Sequence, residues 1–140
     1  MKSRESLIRL KRFHVDEKRV RVTQIETMVA DFERMATDLD RQIGDEEKRA
    51  GITDIGHFAY PTFAKAARER RDNLLASAGE LTDQLEEARD ELADAVEELK
   101  KVELLEERSQ DRARIADDKR DQAEMDRIGL QMRMGTQTIG

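Results

Sequence analysis

Residues 50–63 read AGITDIGHFAYPTF, and this stretch decides the fold because it interrupts a helical pattern that otherwise runs along most of the chain. It contains Gly51, Gly56 and Pro61, and Pro61 is the single proline of the sequence. Proline cannot continue a helix that comes before it, and it biases the preceding residue, here Tyr60, toward an extended conformation. The chain must therefore leave one helix in this stretch and begin another.

On the N-terminal side of this connection, apolar residues recur with 3,4 spacing from Ile8 to Ile43. Such a spacing, kept for about five heptads, is typical of a coiled coil, although Lys11 and Lys18 occupy two of its positions. It predicts a first helix over about residues 4–49, with Gly51 as the stop. The seam residues assigned to it are Val22, Ile25, Val29, Phe32, Leu39 and Ile43.

On the C-terminal side the spacing returns as an alternation of leucine with alanine, until Glu106 and Ser109 interrupt it. Small residues that alternate with large ones suit a close contact between two helices. The pattern predicts a second helix over about residues 63–128, after a connection over about residues 50–62. A flexible tail is expected at 129–140. The seam residues assigned to this helix are Leu74, Leu81, Leu85, Leu92, Leu99 and Val102.

Charge supports an antiparallel arrangement of the two helices. Residues 1–21 hold eight basic and three acidic side chains, whereas residues 80–107 hold twelve acidic and three basic ones. A turn near residue 56 pairs residues whose numbers sum to about 112, and this register lays the two blocks against each other. The sequence therefore predicts an all-α fold: one antiparallel coiled-coil hairpin over residues 1–140, with a longer, overhanging second helix.

The composition excludes several classes of function. The chain has 140 residues, of which 41% are charged and 4% are aromatic, and it has no cysteine. Disulfides and thiolate sites are therefore ruled out, and a net charge of -6 argues against nucleic-acid binding. No stretch approaches the roughly 18 consecutive apolar residues that would span a bilayer, so we expect neither a signal peptide nor a transmembrane segment.

The sequence contains few residues that could form a catalytic, metal or cofactor site. His14 and His57 are the two histidines, and neither has a second ligand three or four residues away. No phosphate-binding glycine loop is present. We therefore expect no catalytic residue, no metal site and no cofactor, and we expect a protein that is not an enzyme and acts by binding other proteins.

The aromatic residues Phe58, Tyr60 and Phe63 surround Pro61, and two interpretations of them stay open. In the first, which local packing favours, they close the end of the hairpin. In the second they form an exposed anchor for a partner.

Three segments carry a resemblance: SLIRLKRFHVDEKRVRVTQIE at 6–26, HFAYPTFAKAARERRDNL at 57–74 and QLEEARDELADAVEELKKVEL at 84–104. In this order they read as a basic first helix, an aromatic connection and a long acidic second helix. Over nearly the whole chain they resemble the flagellar FliJ family, particularly its alphaproteobacterial members.

The resemblance implies a cytoplasmic protein of the flagellar type III export apparatus, which serves flagellum biogenesis and motility at the cytoplasmic face of the inner membrane. It implies a stalk-like or chaperone-like factor that binds the export ATPase ring, the export gate and substrate chaperones. Its terminal end would face the ring, and residues 43–63 would face the gate. The cations that we assign to the ring-facing end are Arg4, Arg9, Arg12, Arg108, Arg112, Arg120 and Arg127.

Two alternatives remain at this stage. The first is a structural coiled-coil protein that assembles with itself, for example as two hairpins in a four-helix bundle. The second is a hydrolase cofactor or nucleic-acid remodeller that uses the basic arm, against which the acidic block argues.

Overall fold

The computed structural model describes the backbone of residues 2–139 and the side chains of residues 3–135. Over this range the chain forms two helices and no strand: α1 spans Lys2–Ala50 and α2 spans Thr62–Ile139. The predicted all-α hairpin of two long helices, of which the second is the longer, is confirmed.

The two ends of the connection follow from the residues that occupy them. Gly51 has a φ of 71°, which glycine adopts without a steric penalty. Its N–H and that of Ile52 donate to the Glu47 carbonyl at 2.8 and 3.3 Å, so the last turn of α1 is capped. At the other end, the Pro61 carbonyl accepts the first helical hydrogen bond of α2, from the Lys65 N–H at 3.1 Å. Proline suits this position because a helix start needs no N–H there.

The prediction that the second helix ends near residue 128 is wrong, because α2 continues to Ile139. The segment expected to be a flexible tail is therefore helical as far as the structure describes it. Gly129 and Gly135 prompted the prediction, yet neither has a positive φ. A glycine inside a helix costs only about 1 kcal/mol relative to alanine, and neighbours such as Leu130 and Met132 favour the helix.

The chain divides into two compact units, and the larger one is Lys11–Val96. In it, α1 and α2 run antiparallel on either side of the connection. Its core is a seam in which Val22, Ile25, Leu85 and Ala88 are buried, and Ile25 is only 1% exposed. Val29, Leu81 and Leu92 pack against this cluster. The 3,4 spacing of the sequence therefore locates the buried face of both helices in this unit.

Ion pairs across the larger unit fix its register. Arg71 Nη1 lies 2.9 Å from Asp40 Oδ1, and Lys18 Nζ lies 2.9 Å from Glu91 Oε2. The paired numbers sum to 111 and 109, close to the predicted 112. The predicted register is confirmed for this unit, and a member of the basic block does contact the acidic block.

Toward the connection the seam of the larger unit is built from small residues. Ile43 is buried there together with four alanines: Ala36, Ala64, Ala67 and Ala78. Alanine side chains allow two helix backbones to approach each other closely, so little apolar area suffices to exclude water from the contact.

The second unit consists of the residues up to Leu10 and those from Glu97 onward. Here the first residues of α1 pack on α2, where Val102 is buried and Ile8 and Leu99 are half-buried. The prediction that Glu106 interrupts this seam is wrong, because Glu106 is buried in the seam and only 9% exposed. It is accommodated because Arg4 Nη1 donates to its carboxylate at 3.4 Å and Gln110 Nε2 donates at 3.3 Å.

Beyond this contact, the second unit is a single helix. From residue 112 to residue 135 every residue except the partly buried Gly129 is exposed. Two ion pairs with i,i+3 spacing lie along it, Asp111 with Arg114 and Asp117 with Arg120. Pairs of this kind stabilise an isolated helix by about 0.2–0.5 kcal/mol each. The predicted overhang of the second helix is therefore present.

Candidate interaction surfaces

A polar triad holds the connection to both helices. Tyr60 donates its hydroxyl hydrogen to Glu47 Oε1 at 2.7 Å, and Arg68 Nε donates to the Tyr60 hydroxyl oxygen at 2.8 Å. Arg68 Nη2 also donates to the same Glu47 oxygen at 2.6 Å. Glu47 lies in the last turns of α1 and Arg68 in the second turn of α2. Two of the hydrogen bonds therefore join the buried Tyr60 to both helices, and the third joins the two helices to each other.

The triad shifts the titration of its two charged members. The hydrogen bond from Arg68, followed by that from Tyr60, holds the pKa of Glu47 below its usual range, and burial, which acts in the opposite direction, is outweighed. The same bonds, first to Glu47 and then to Tyr60, raise the pKa of Arg68. Both groups are therefore charged at neutral pH, and the triad is complete there.

Phe58 presents its ring at the tip of the connection. Its side chain is 96% exposed and stacks on the His57 ring, with 4.8 Å between the ring centroids. The backbone beneath it is ordered by local hydrogen bonds: the His57 N–H donates to the Asp54 carbonyl at 3.1 Å, and the Ala59 N–H donates to His57 Nδ1 at 3.0 Å. The ring is therefore held in solvent by a defined turn.

The structure separates the three aromatic residues that the sequence grouped together. Tyr60 packs locally and closes the end of the hairpin, as the favoured interpretation has it. Phe58 does not pack there, and Phe63 is 56% exposed. For these two residues the alternative, an exposed aromatic surface, fits the structure better. No pattern in the sequence marks Glu47 and Arg68 as partners, although the predicted register places position 47 near residue 65.

The cations assigned to the terminal end differ in their surroundings. Within the second unit, Arg4 binds Glu106 and Arg120 binds Asp117, so both are engaged within the chain. Arg9, Arg108, Arg112 and Arg127 are exposed. Arg12 is also exposed but belongs to the larger unit. The assignment of these seven arginines to one ring-facing end stays a prediction.

Two further observations concern sites of other kinds. Among the side chains that the structure describes, no group of three or more histidine, cysteine, aspartate or glutamate residues is placed to hold a metal ion. Along residues 2–139, neither helix has a segment long and apolar enough to cross a membrane.

Comparison of the chain with models of protein families, with functionally characterised proteins and with solved structures finds no match. The class of protein is accordingly defined by the fold: a helical hairpin whose second helix extends past the first.

Proposed function

We propose that this chain is a non-enzymatic, protein-binding component of the bacterial flagellar export apparatus, acting as a stalk-like or chaperone-like factor. The observation that carries the proposal is the end of α2, which continues as an exposed helix from residue 112 to at least residue 135. A stalk that enters a ring of subunits requires such an exposed helix, with charged faces that can meet the ring subunits.

The resemblance to the FliJ family supplies the partners in this proposal. The export ATPase ring would contact the second unit, in which Arg9, Arg108, Arg112 and Arg127 are exposed. Arg4 and Arg120 are weaker candidates, because an intramolecular carboxylate already occupies each of them. In this role the protein would be cytoplasmic and would reach the inner membrane through its partners.

The export gate would contact the connection in the larger unit. Phe58 and Phe63 are exposed there, and an aromatic ring that enters a pocket of a partner contributes strongly to binding. The local hydrogen bonds under Phe58 reduce the conformational entropy that would be lost when the turn binds.

The test is to mix the purified chain with the export ATPase of the same organism and to measure ATP hydrolysis and ring assembly. We expect the full chain to stimulate hydrolysis and a chain that ends at Glu107 to have lost this effect. Phe58→Ala serves as the control, because it should keep the stimulation and weaken binding to the cytoplasmic domain of the export gate.

The opposite result is equally informative. If neither the ATPase nor the gate domain binds, and light scattering gives the mass of a dimer or tetramer, the export role is wrong. The chain would then be a structural coiled coil that assembles with itself.

A further inference from the structure

One face of α2 in the second unit combines exposed apolar residues with cations that pair with no side chain in residues 3–135. We define the basic stripe as five residues with 3,4,3,4 spacing: Leu105, Arg108, Arg112, Ile115 and Lys119. This spacing places all five on one side of the helix, over a length of about 21 Å at 1.5 Å per residue. Leu105 and Ile115 are each 51% exposed.

The acidic residues of the same segment lie on other faces. All five acidic residues between Leu105 and Lys119 occupy positions off the basic stripe: Glu106, Glu107, Asp111, Asp117 and Asp118. Asp111 lines a groove together with Leu105, Arg108 and Arg112, but its carboxylate already accepts a hydrogen bond from Arg114 at 2.8 Å. The basic stripe itself therefore carries positive charge only, although charges alternate in sign along the sequence of this helix.

The cations of the basic stripe are not engaged in ion pairs within the described residues, whereas two neighbouring arginines of the same helix are. Arg108, Arg112 and Lys119 are exposed, and they make no hydrogen bond or ion pair with any side chain that the structure describes. Arg114 and Arg120 lie on the same helix and are each bound to an aspartate three residues earlier. The stripe therefore presents three unpaired cations and two exposed apolar side chains, which a partner with carboxylates and apolar side chains would complement.

We propose that the basic stripe is a docking surface for an acidic amphipathic helix of another protein. The apolar side chains of such a helix would cover Leu105 and Ile115, while its carboxylates would meet Arg108, Arg112 and Lys119. The proposal deepens the proposed function by naming the chemistry of the partner surface, and it rests on that function only for the identity of the partner.

Two other occupants, a second copy of the chain and nucleic acid, fit the basic stripe less well. Docking of a second copy through the same face is disfavoured, because antiparallel stripes would bring Arg108 against Arg112 and parallel stripes would place like charges together. Nucleic acid requires a broad excess of positive charge, whereas this chain has a net charge of -6. Nucleic acid would also leave the apolar side chains of the stripe, Leu105 and Ile115, without an apolar partner.

The experiment measures binding of a fluorescent, stapled helical peptide of about three heptads, with leucine at its seam positions and glutamate beside them. Its matched control is the same peptide with lysine for glutamate. Two variants of the full chain are compared, Arg108→Gln/Arg112→Gln and Arg114→Gln/Arg120→Gln. Each removes two positive charges from the same helix, so their net charges are identical, and circular dichroism checks that both remain helical.

We expect the acidic peptide to bind the parent chain. The first variant should weaken this binding by about tenfold and the second by less than about twofold. Ile115→Ala should weaken it by a few-fold, and the lysine peptide should not bind. The proposal is overturned if the acidic peptide does not bind, if both double variants weaken binding equally, or if Ile115→Ala has no effect. It is also overturned if the stripe binds anionic vesicles in place of the peptide. All of these outcomes are independent of the ATPase assay.

Discussion

Ile25→Ala tests the assignment of the seam most directly, because Ile25 is only 1% exposed and belongs to the buried cluster with Val22, Leu85 and Ala88. The substitution removes three carbon atoms, which at about 0.8 kcal/mol each amounts to roughly 2.4 kcal/mol of lost transfer free energy. A cavity term adds to this value, but the open flanks of a two-helix seam let neighbours collapse into the space. We expect a loss of about 3 kcal/mol in the free energy of unfolding, or about a hundredfold in the equilibrium constant.

The assay is urea unfolding followed by the helical circular dichroism signal, with Val20→Ala as the matched control. Val20 lies on the same helix and is 56% exposed, so its truncation should change the free energy of unfolding by no more than about 0.5 kcal/mol. The assignment is refuted if Ile25→Ala costs less than about 1 kcal/mol, or if Val20→Ala costs as much as Ile25→Ala.

Three further predictions concern the larger unit. Tyr60→Phe removes the hydroxyl that joins Glu47 and Arg68, and it should lower the free energy of unfolding by about 1–2 kcal/mol. Urea unfolding measures this change, and an unchanged midpoint would show that the triad does not contribute to stability. The pKa of Glu47 is lower in the folded chain than its unfolded value of 4.5, so its contribution to stability is complete above pH 4.5 and is lost as the pH falls through the folded pKa. The loss of helicity on acid titration should therefore be less steep in Glu47→Gln than in the parent chain. Identical titration curves would contradict this. Leu85→Asp places an unpaired charge in the buried cluster and should unfold the hairpin at room temperature; a melting temperature within a few degrees of the parent would show that Leu85 faces solvent.

Much of the fold could be predicted from the sequence because a coiled-coil seam repeats one local rule. The 3,4 spacing identified both helices, and a glycine–proline connection placed the turn between them. Once the turn is located, residue numbers alone predict which residues face each other. The ion pair between Lys18 and Glu91 agrees with this register. Here local periodicity and long-range contacts carry the same information.

Other features could not be predicted, because they depend on individual side chains rather than on a repeat. The second helix continues through Gly129 because propensity is a weak signal that neighbouring residues override. Tyr60, Phe58 and Phe63 lie close together in the sequence, yet Tyr60 is buried whereas Phe58 and Phe63 are exposed. Periodicity shows that Arg112 and Arg114 lie on different faces, but not that Arg114 alone reaches an aspartate.

The triad at the connection also bears on the order in which the chain folds. Glu47 and Arg68 are separated by 21 residues, whereas Arg4 and Glu106 are separated by 102. The entropy lost on closing a loop grows with its length, so the earliest long-range contact to form should be the one beside the connection. Because an alternation of leucine with alanine resembles itself after each heptad, helices that met elsewhere first could lock with a shift of seven residues. Early formation of the triad would remove these misaligned states before the rest of the seam closes.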